Sequence, residues 1–357
     1  MSDRSEPVVV NFLTGFLGAG KTSLLNRLLS KPSLADTAVI INEFGAIGLD
    51  HLLVEAVDDD IVLLKSGCIC CNIRGDLKEA VLSLFERMHR GEIGQFRRLV
   101  IETTGLADPV PIIATFSADP MLKSHFQTGN IVTVVDVPNG IRNIETYPES
   151  ARQAAVADRI IISKGDLADR EAIAALKSAL FGMNPAAEII ELDENGDPTD
   201  ALLLENVHDI EARSAEVARW ISAETHRPHQ HRHQHDVNVH GNIRALAIET
   251  DQSVAWASFA LWLSMLIHRH GRRILRLKGL VNVEGVETPV VIHGVQHLIH
   301  KPLHLDSWPG NVRQTRIVMI GEGLDRDLMQ RSFEAFNFGQ KHAAVRMVSS
   351  DASIQVS

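Results

Sequence analysis

Gly15-Phe16-Leu17-Gly18-Ala19-Gly20-Lys21-Thr22 is the stretch that decides the fold. It fits G-x-x-x-x-G-K-[ST], the phosphate-binding loop of nucleoside triphosphatases. The apolar run Val8-Val9-Val10-Asn11-Phe12-Leu13 before it reads as a buried strand, and Ser23-Leu24-Leu25-Asn26-Arg27-Leu28-Leu29 after it reads as a helix. Strand, glycine loop and helix in that order are the context the motif needs. Glycines let successive backbone N–H groups turn toward phosphate oxygens, and the helix adds the positive end of its dipole. Gly15, Gly18, Ala19, Gly20, Lys21, Thr22 and Ser23 are the expected cradle, with Lys21 reaching the β- and γ-phosphates and the Thr22 hydroxyl ligating Mg2+.

Outward from that loop, residues 1–224 alternate short apolar strands with helical patterns, the signature of an α/β domain with a mostly parallel sheet. Strands are expected at Val8 to Leu13, Ala38 to Ile41, Ile61 to Leu64, Leu99 to Ile101, Ile131 to Val135, Arg159 to Ile162 and Glu188 to Leu192. Helices are expected to begin near Lys21, Asp76, Val110, Ala151 and Arg170. Leu77, Val81, Leu84, Phe85 and Met88 recur at helical spacing, so the second of these is amphipathic. Residues 225–242 hold a His-rich run from His226 to Asp236 without an apolar residue, which reads as an exposed linker. Residues 243–338 then read as a smaller α+β domain. Its expected elements are a strand from Ile243 to Ile248 and a helix from Val254 to His268 with Trp256, Phe259, Leu263 and Leu266 on one face. Strands near Ile274, Val290 and Arg316 to Ile320 and a closing helix from Leu324 to Phe336 follow. Residues 339–357 read as a loose tail.

At 357 residues two domains are expected, and a hydrophobic fraction of 45% supplies their cores. No apolar run approaches the ~18–20 residues of a membrane helix, and Met1 to Pro7 lacks an apolar signal region, so the expected location is cytoplasmic. A formal charge of −10 argues against general nucleic-acid binding, which needs a basic surface. All three cysteines fall in Gly67-Cys68-Ile69-Cys70-Cys71, which leaves none elsewhere for a disulfide framework.

Leu99-Val100-Ile101-Glu102-Thr103-Thr104-Gly105 supplies the acid a phosphate-loop enzyme needs for its Mg2+ shell. Lys21, Thr22 and Glu102 are thus the expected catalytic set, and the Gly105 N–H is placed to sense the γ-phosphate. Ser163-Lys164-Gly165-Asp166 is similar to the guanine-reading Asn-Lys-x-Asp motif. Asp166 accepts from guanine N1–H and its exocyclic amine, the Lys164 stem covers the base, and Ser163 replaces the amide that normally braces the loop. Cys68, Cys70 and Cys71 can converge on one soft cation: thiolates suit Zn2+, Cu+ or Co2+. Three thiols leave a fourth position for water, a histidine, Glu43 or a group on a client protein, which is what transfer requires. Neutral imidazoles at His229, His231, His233 and His235 offer auxiliary ligands.

In combination, Gly-Phe-Leu-Gly-Ala-Gly-Lys-Thr, Asn42-Glu43-Phe44-Gly45, Gly-Cys-Ile-Cys-Cys, Glu-Thr-Thr-Gly and Lys-x-Asp resemble the CobW-like family of metal-trafficking P-loop GTPases. The resemblance covers nearly the whole chain, His-rich linker and C-terminal domain included. It implies slow GTP hydrolysis, with Mg2+, coupled to delivery of a metal to a metal-requiring client protein. It places Glu43 in the first switch and Cys68, Cys70 and Cys71 in the metal motif. The Arg74-Gly75-Asp76-Leu77 run looks like the zinc-associated members, with a cobalt chaperone for cobalamin synthesis the alternative. Client recognition or a homodimer contact is the expected role of the C-terminal domain. A regulatory GTPase that moves no metal would leave the cysteines dispensable. A small-molecule kinase would leave both the cysteines and Asp166 unexplained.

Overall fold

The computed structural model describes residues 7–42, 63–65, 73–192, 198, 202–203, 243–309 and 313–350, with backbone alone at 42, 63–65, 73–76 and 340–350. The chain divides into two compact units, Met1–Ile243 and Arg244–Ser357.

In the first unit the apolar runs become β1 (Val8–Gly15), β2 (Thr37–Asn42), β3 (Leu63–Lys65), β4 (Arg98–Thr103), β5 (Phe126–Asp136), β6 (Arg159–Ser163) and β7 (Glu188–Glu191). Among the described residues they form one seven-stranded sheet in the order β3-β2-β4-β1-β5-β6-β7. Every pairing along it is parallel. A parallel sheet is buried on both faces, and β1 is buried at all its positions. The intervening helices are α1 (Lys21–Leu29), α2 (Ile73–His89), α3 (Pro109–Ala118), α4 (Pro120–His125), α5 (Gly140–Thr146), α6 (Pro148–Val156) and α7 (Arg170–Met183). Leu24, Leu25, Leu28 and Leu29 of α1 pack with Leu13, Val39, Val100, Val132 and Ile161. Elsewhere in this unit Phe12 meets Phe116 edge-on at 5.6 Å, and Phe126 lies 6.2 Å from Phe116 and 5.3 Å from Phe85 of α2. Leu77, Val81, Leu84 and Met88 are buried as their spacing predicts.

Helix starts follow from local chemistry. Asp108 caps α3 by accepting from Val110 N, Asp119 caps α4 by accepting from Met121 N and Leu122 N, and Asp169 caps α7 by accepting from Ala172 N. In α3 and α4 proline follows the cap, at the position where its missing N–H costs nothing.

The second unit contains β8 (Ile243–Thr250), α8 (Trp256–His270), β9 (Ile274–Val281), β10 (Val290–Val295), β11 (Leu298–Ile299), β12 (Leu303–His304), β13 (Thr315–Glu322) and α9 (Arg326–Ser350). The sheet order is β11-β10-β9-β13-β8, with β12 beside β10, and the β9–β10 and β9–β13 pairings are antiparallel. Phe259, Trp262, Leu263 and Leu266 of α8 join Leu277, Ile292, Ile317, Met319 and Phe333 in the core. Trp262 and Phe333 meet edge-on at 5.0 Å.

Trp256, the first residue of α8, is 40% exposed, and Trp262 is a buried tryptophan of the core. α9 continues past Phe338 to Ser350, and the remainder of the expected tail, residues 351–357, lies outside the described residues. Among the described residues no helix is long and apolar enough to cross a membrane.

Candidate nucleotide site

All strands of the first sheet run in one direction, so their carboxyl ends share an edge, where ligands of such sheets bind. The register there is continuous: Leu13 lies beside Glu102, Glu102 beside Ile41, and Ile41 beside Lys65. The phosphate loop leaves this edge from β1. Gly15, Gly18 and Gly20 have φ of 141°, 72° and 96°, conformations that an L side chain resists. A Cβ on Gly15 would also lie 2.3 Å from the Val134 carbonyl. No side chain caps α1, so the first N–H groups of that helix are left for an anion.

Lys21 is 8% exposed, and its Nζ donates to the Phe16 carbonyl at 3.2 Å, spanning the loop it is expected to serve. Thr22 and Ser23 lie on the exposed side of α1. The Thr22 hydroxyl donates to Glu102 Oε1 at 2.7 Å, and Glu102 is 4% exposed at the end of β4. The two side chains assigned to Mg2+ are therefore in contact. A glycine cradle with free helix amides fits a polyphosphate, and an oxygen-only pair beside it fits Mg2+.

The loop after β4 lies against the phosphate loop. A Cβ on Gly105 would fall 2.5 Å from Leu17 N, so only glycine permits the approach. Thr103 Oγ1 donates to Thr14 Oγ1 at 2.8 Å, joining the two strands just before their loops.

The base-reading loop is tied to the same cradle. Ser163 Oγ donates to the Ala19 carbonyl at 2.7 Å, and Lys164 Nζ donates to the Gly18 carbonyl at 2.7 Å. Ser163 lacks the amide of the usual Asn, and its shorter side chain reaches the phosphate loop through its hydroxyl. Lys164 adopts φ 56°, and its ammonium lies 3.8 Å from Asp136, whose carboxylate also accepts from Asn139 Nδ2. Asp166 is exposed on the following 3-10 turn, open to a ligand.

Sequence reasoning missed Gln153, Arg152 and Asp136. Asp136 had a readable signal, an acid ending an apolar strand; Gln153 and Arg152 had none. The stack of Phe16 on Tyr147, with centroids 4.7 Å apart, was also not legible. Glu43, Cys68, Cys70, Cys71, His229, His231, His233 and His235 lie outside the described residues, and among the described residues no group of three or more His, Cys, Asp or Glu side chains could hold a metal.

A glycine cradle, a threonine–glutamate pair and a tethered Lys-x-Asp loop at one edge of a parallel sheet define a P-loop nucleotide-binding protein of the GTPase class. The chain belongs to the CobW/HypB/UreG family: residues 9–191 match its nucleotide-binding domain and residues 243–337 match the cobalamin synthesis protein cobW C-terminal domain. It is 30% identical over 327 residues to the zinc chaperone YjiA of Escherichia coli, covering 92% of this chain and 98% of that one. It is 29% identical over 349 residues to the zinc chaperone CobW of Pseudomonas aeruginosa, covering 89% and 88%. The crystal structure of the Zn(II)-bound YjiA GTPase from E. coli superposes with a TM-score of 0.70 at 26% identity, covering 93% of this chain and all of that one. A Zn(II)-bound YjiA structure in which one glutamate and two cysteines are replaced by alanine superposes equally well, with a TM-score of 0.70.

Proposed function

We propose that this protein is a GTP-dependent zinc chaperone: it binds Zn2+ through Cys68, Cys70 and Cys71, hydrolyses GTP, and delivers the metal to a client protein. The observation that carries the GTPase half is the 2.7 Å bond between Thr22 and Glu102 beside the glycine cradle. Lys21 neutralises β- and γ-phosphate charge, the loop amides hold the phosphate oxygens, and Asp166 selects guanine. Bound at Thr22 and Glu102, Mg2+ supplies further neutralisation of the charge that develops on hydrolysis.

The zinc half is supported by the three thiols and by the printed functions of the YjiA and CobW relatives. The sheet offers a route between the halves. β3 ends at Lys65, in register through Ile41 with Glu102, and Cys68 follows three residues later. Adjacent strands are about 4.8 Å apart, so the chain that carries the cysteines leaves the sheet about 10 Å from the Mg2+ carboxylate. Glu43 is the next residue in the chain after β2. GTP that orders these segments raises zinc affinity, and hydrolysis lowers it.

Zinc titration by chelator competition, with a non-hydrolysable GTP analogue and with GDP, tests the reading. Coupling of ordinary size makes the analogue state bind Zn2+ about 5–150-fold more tightly, and zinc must tighten the analogue by the same factor. Equal zinc affinity in the two states sinks the coupling. Cys70→Ala should abolish the nucleotide-sensitive site. Bound zinc is counted in that variant because YjiA binds Zn(II) with two cysteines and a glutamate removed.

A further inference from the structure

Two consecutive residues of α6 hold the loop after β4, the same loop whose Gly105 abuts Leu17 of the phosphate loop. Gln153 Nε2 donates to the Gly105 carbonyl at 3.1 Å and to the Ala107 carbonyl at 3.0 Å. Gln153 is 1% exposed, so water does not compete for either bond. Its own backbone carbonyl accepts from Thr133 Oγ1 at 2.7 Å, which ties this turn of α6 to β5. Arg152 Nη1 lies 2.8 Å from Asp108 Oδ2, and Asp108 is the residue that caps α3. Residues 105, 107 and 108 are therefore gripped by one helix while Gly105 abuts Leu17 N.

The chemistry of the grip is specific. Two carbonyls face one side chain, and the primary amide of Gln153 supplies both with N–H donors without burying a charge. Peptide planarity then fixes the next group: with the Gly105 carbonyl held toward α6, the Leu106 N–H points the other way.

We propose that Gln153 is the positioning residue of the γ-phosphate-responsive loop, with Arg152 as its accessory. It holds the Gly105–Asp108 segment in the setting that presents its backbone to the third phosphate, so that this order need not be created at each turnover. The proposal rests on the GTPase reading above and adds a prediction to it. GDP has no third phosphate and is held by the cradle and the base reader, which Gln153 does not touch through its amide. Loss of the grip must therefore act on GTP selectively.

Gln153→Met keeps the length and apolar stem of the side chain and removes both donors. The expected result is a fall of about tenfold in kcat and in affinity for a non-hydrolysable GTP analogue, with GDP affinity unchanged. Arg152→Met, at a half-exposed ion pair, should give the same selective loss at smaller size. Two results overturn the proposal. One is a wild-type ratio of analogue to GDP affinity in Gln153→Met; the other is an equal loss for both nucleotides, which would mark general distortion of the cradle. If Gln153→Met does not fold, Arg152→Met decides alone by the same ratio. A wild-type protein that binds both nucleotides but does not hydrolyse GTP fails the GTPase reading, while the affinity ratio still judges Gln153.

Discussion

Thr22 and Glu102 are 80 positions apart in the chain and 2.7 Å apart in space. The fold achieves this by pairing β1 and β4 in parallel, which brings Leu13 and Glu102 level at the sheet edge. Glu102→Gln keeps the shape and removes the charge. It should lower Mg2+-dependent GTP hydrolysis on the order of 100-fold, the scale of losing one electrostatic group at a reacting phosphate, and leave Mg2+-free GDP binding near wild type. Steady-state hydrolysis across a Mg2+ series checks this; a variant that hydrolyses at the wild-type rate removes Glu102 from the site. Ser163 makes a different prediction. Its hydroxyl braces the base reader against Ala19, so Ser163→Ala should weaken GTP and GDP together, by about 1 kcal/mol. Equilibrium binding of the two nucleotides separates that pattern from the GTP-selective loss expected at Gln153. An effect on GTP alone would show that Ser163 acts on the phosphates and not on the base loop.

At the scale of elements, α2 begins at Ile73, just after the cysteine motif, and is tied to the N-cap of α4 by Lys78 and Asp119 at 2.7 Å. The Lys78 hydrogen bond is the main cause that holds the Asp119 carboxyl below its ordinary 3.8. Burial opposes it, and bonds from Leu122 N and Met121 N add to it. A depressed carboxylate stabilises the fold above its ordinary pKa and loses that contribution as pH falls through the lower folded value. Lys78→Met should move the Asp119 titration up toward 3.8, read by carboxyl NMR; an unmoved titration would assign the depression to the two backbone donors. This tie was not legible in the sequence, and neither were several elements, for one shared reason. The strands at Val8, Thr37, Leu99 and Arg159 announce themselves by runs of at least three consecutive apolar residues. The start of β5 does not, because Phe126-Gln127-Thr128-Gly129-Asn130 alternates polar residues whose partners are distant. Asn130 N donates to Asn11 Oδ1 at 3.0 Å, and Asn130 Nδ2 donates to the Leu202 carbonyl at 3.0 Å. α4 and α5, of six and seven residues, are too short to display a helical period. The phosphate loop, Glu102 and Lys164 were legible because phosphate chemistry constrains residues that are close in sequence. Gln153 was not, because Ala151-Arg152-Gln153-Ala154 reads as an ordinary helix turn until Gly105 and Ala107 are placed beside it.

At the scale of the molecule, each unit has its own hydrophobic core, and among the described residues one shifted group lies in each: Asp119 and His270. In the second unit His270 ends α8, where the helix dipole favours a protonated imidazole. Its pKa is nonetheless held below the ordinary 6.5, first by burial and then by the Arg269 and Arg273 charges. Desolvation and two like charges outweigh the dipole. The sign of the consequence follows from linkage: a folded pKa below the unfolded one means that the unfolded chain binds the proton more readily. Stability of this unit is therefore full above about pH 6.5 and declines as pH falls toward the lower folded value. Asp119 in the first unit, held below its ordinary 3.8, titrates below that window and contributes no slope within it. Thermal unfolding between about pH 7.5 and pH 5.5 should show the midpoint of the second unit falling as acid is added. His270→Gln removes the differential proton binding and should flatten that dependence without lowering the midpoint at the alkaline end. A wild-type midpoint that rises on acidification would reverse the order of forces argued here, placing the helix dipole above burial and the two arginines.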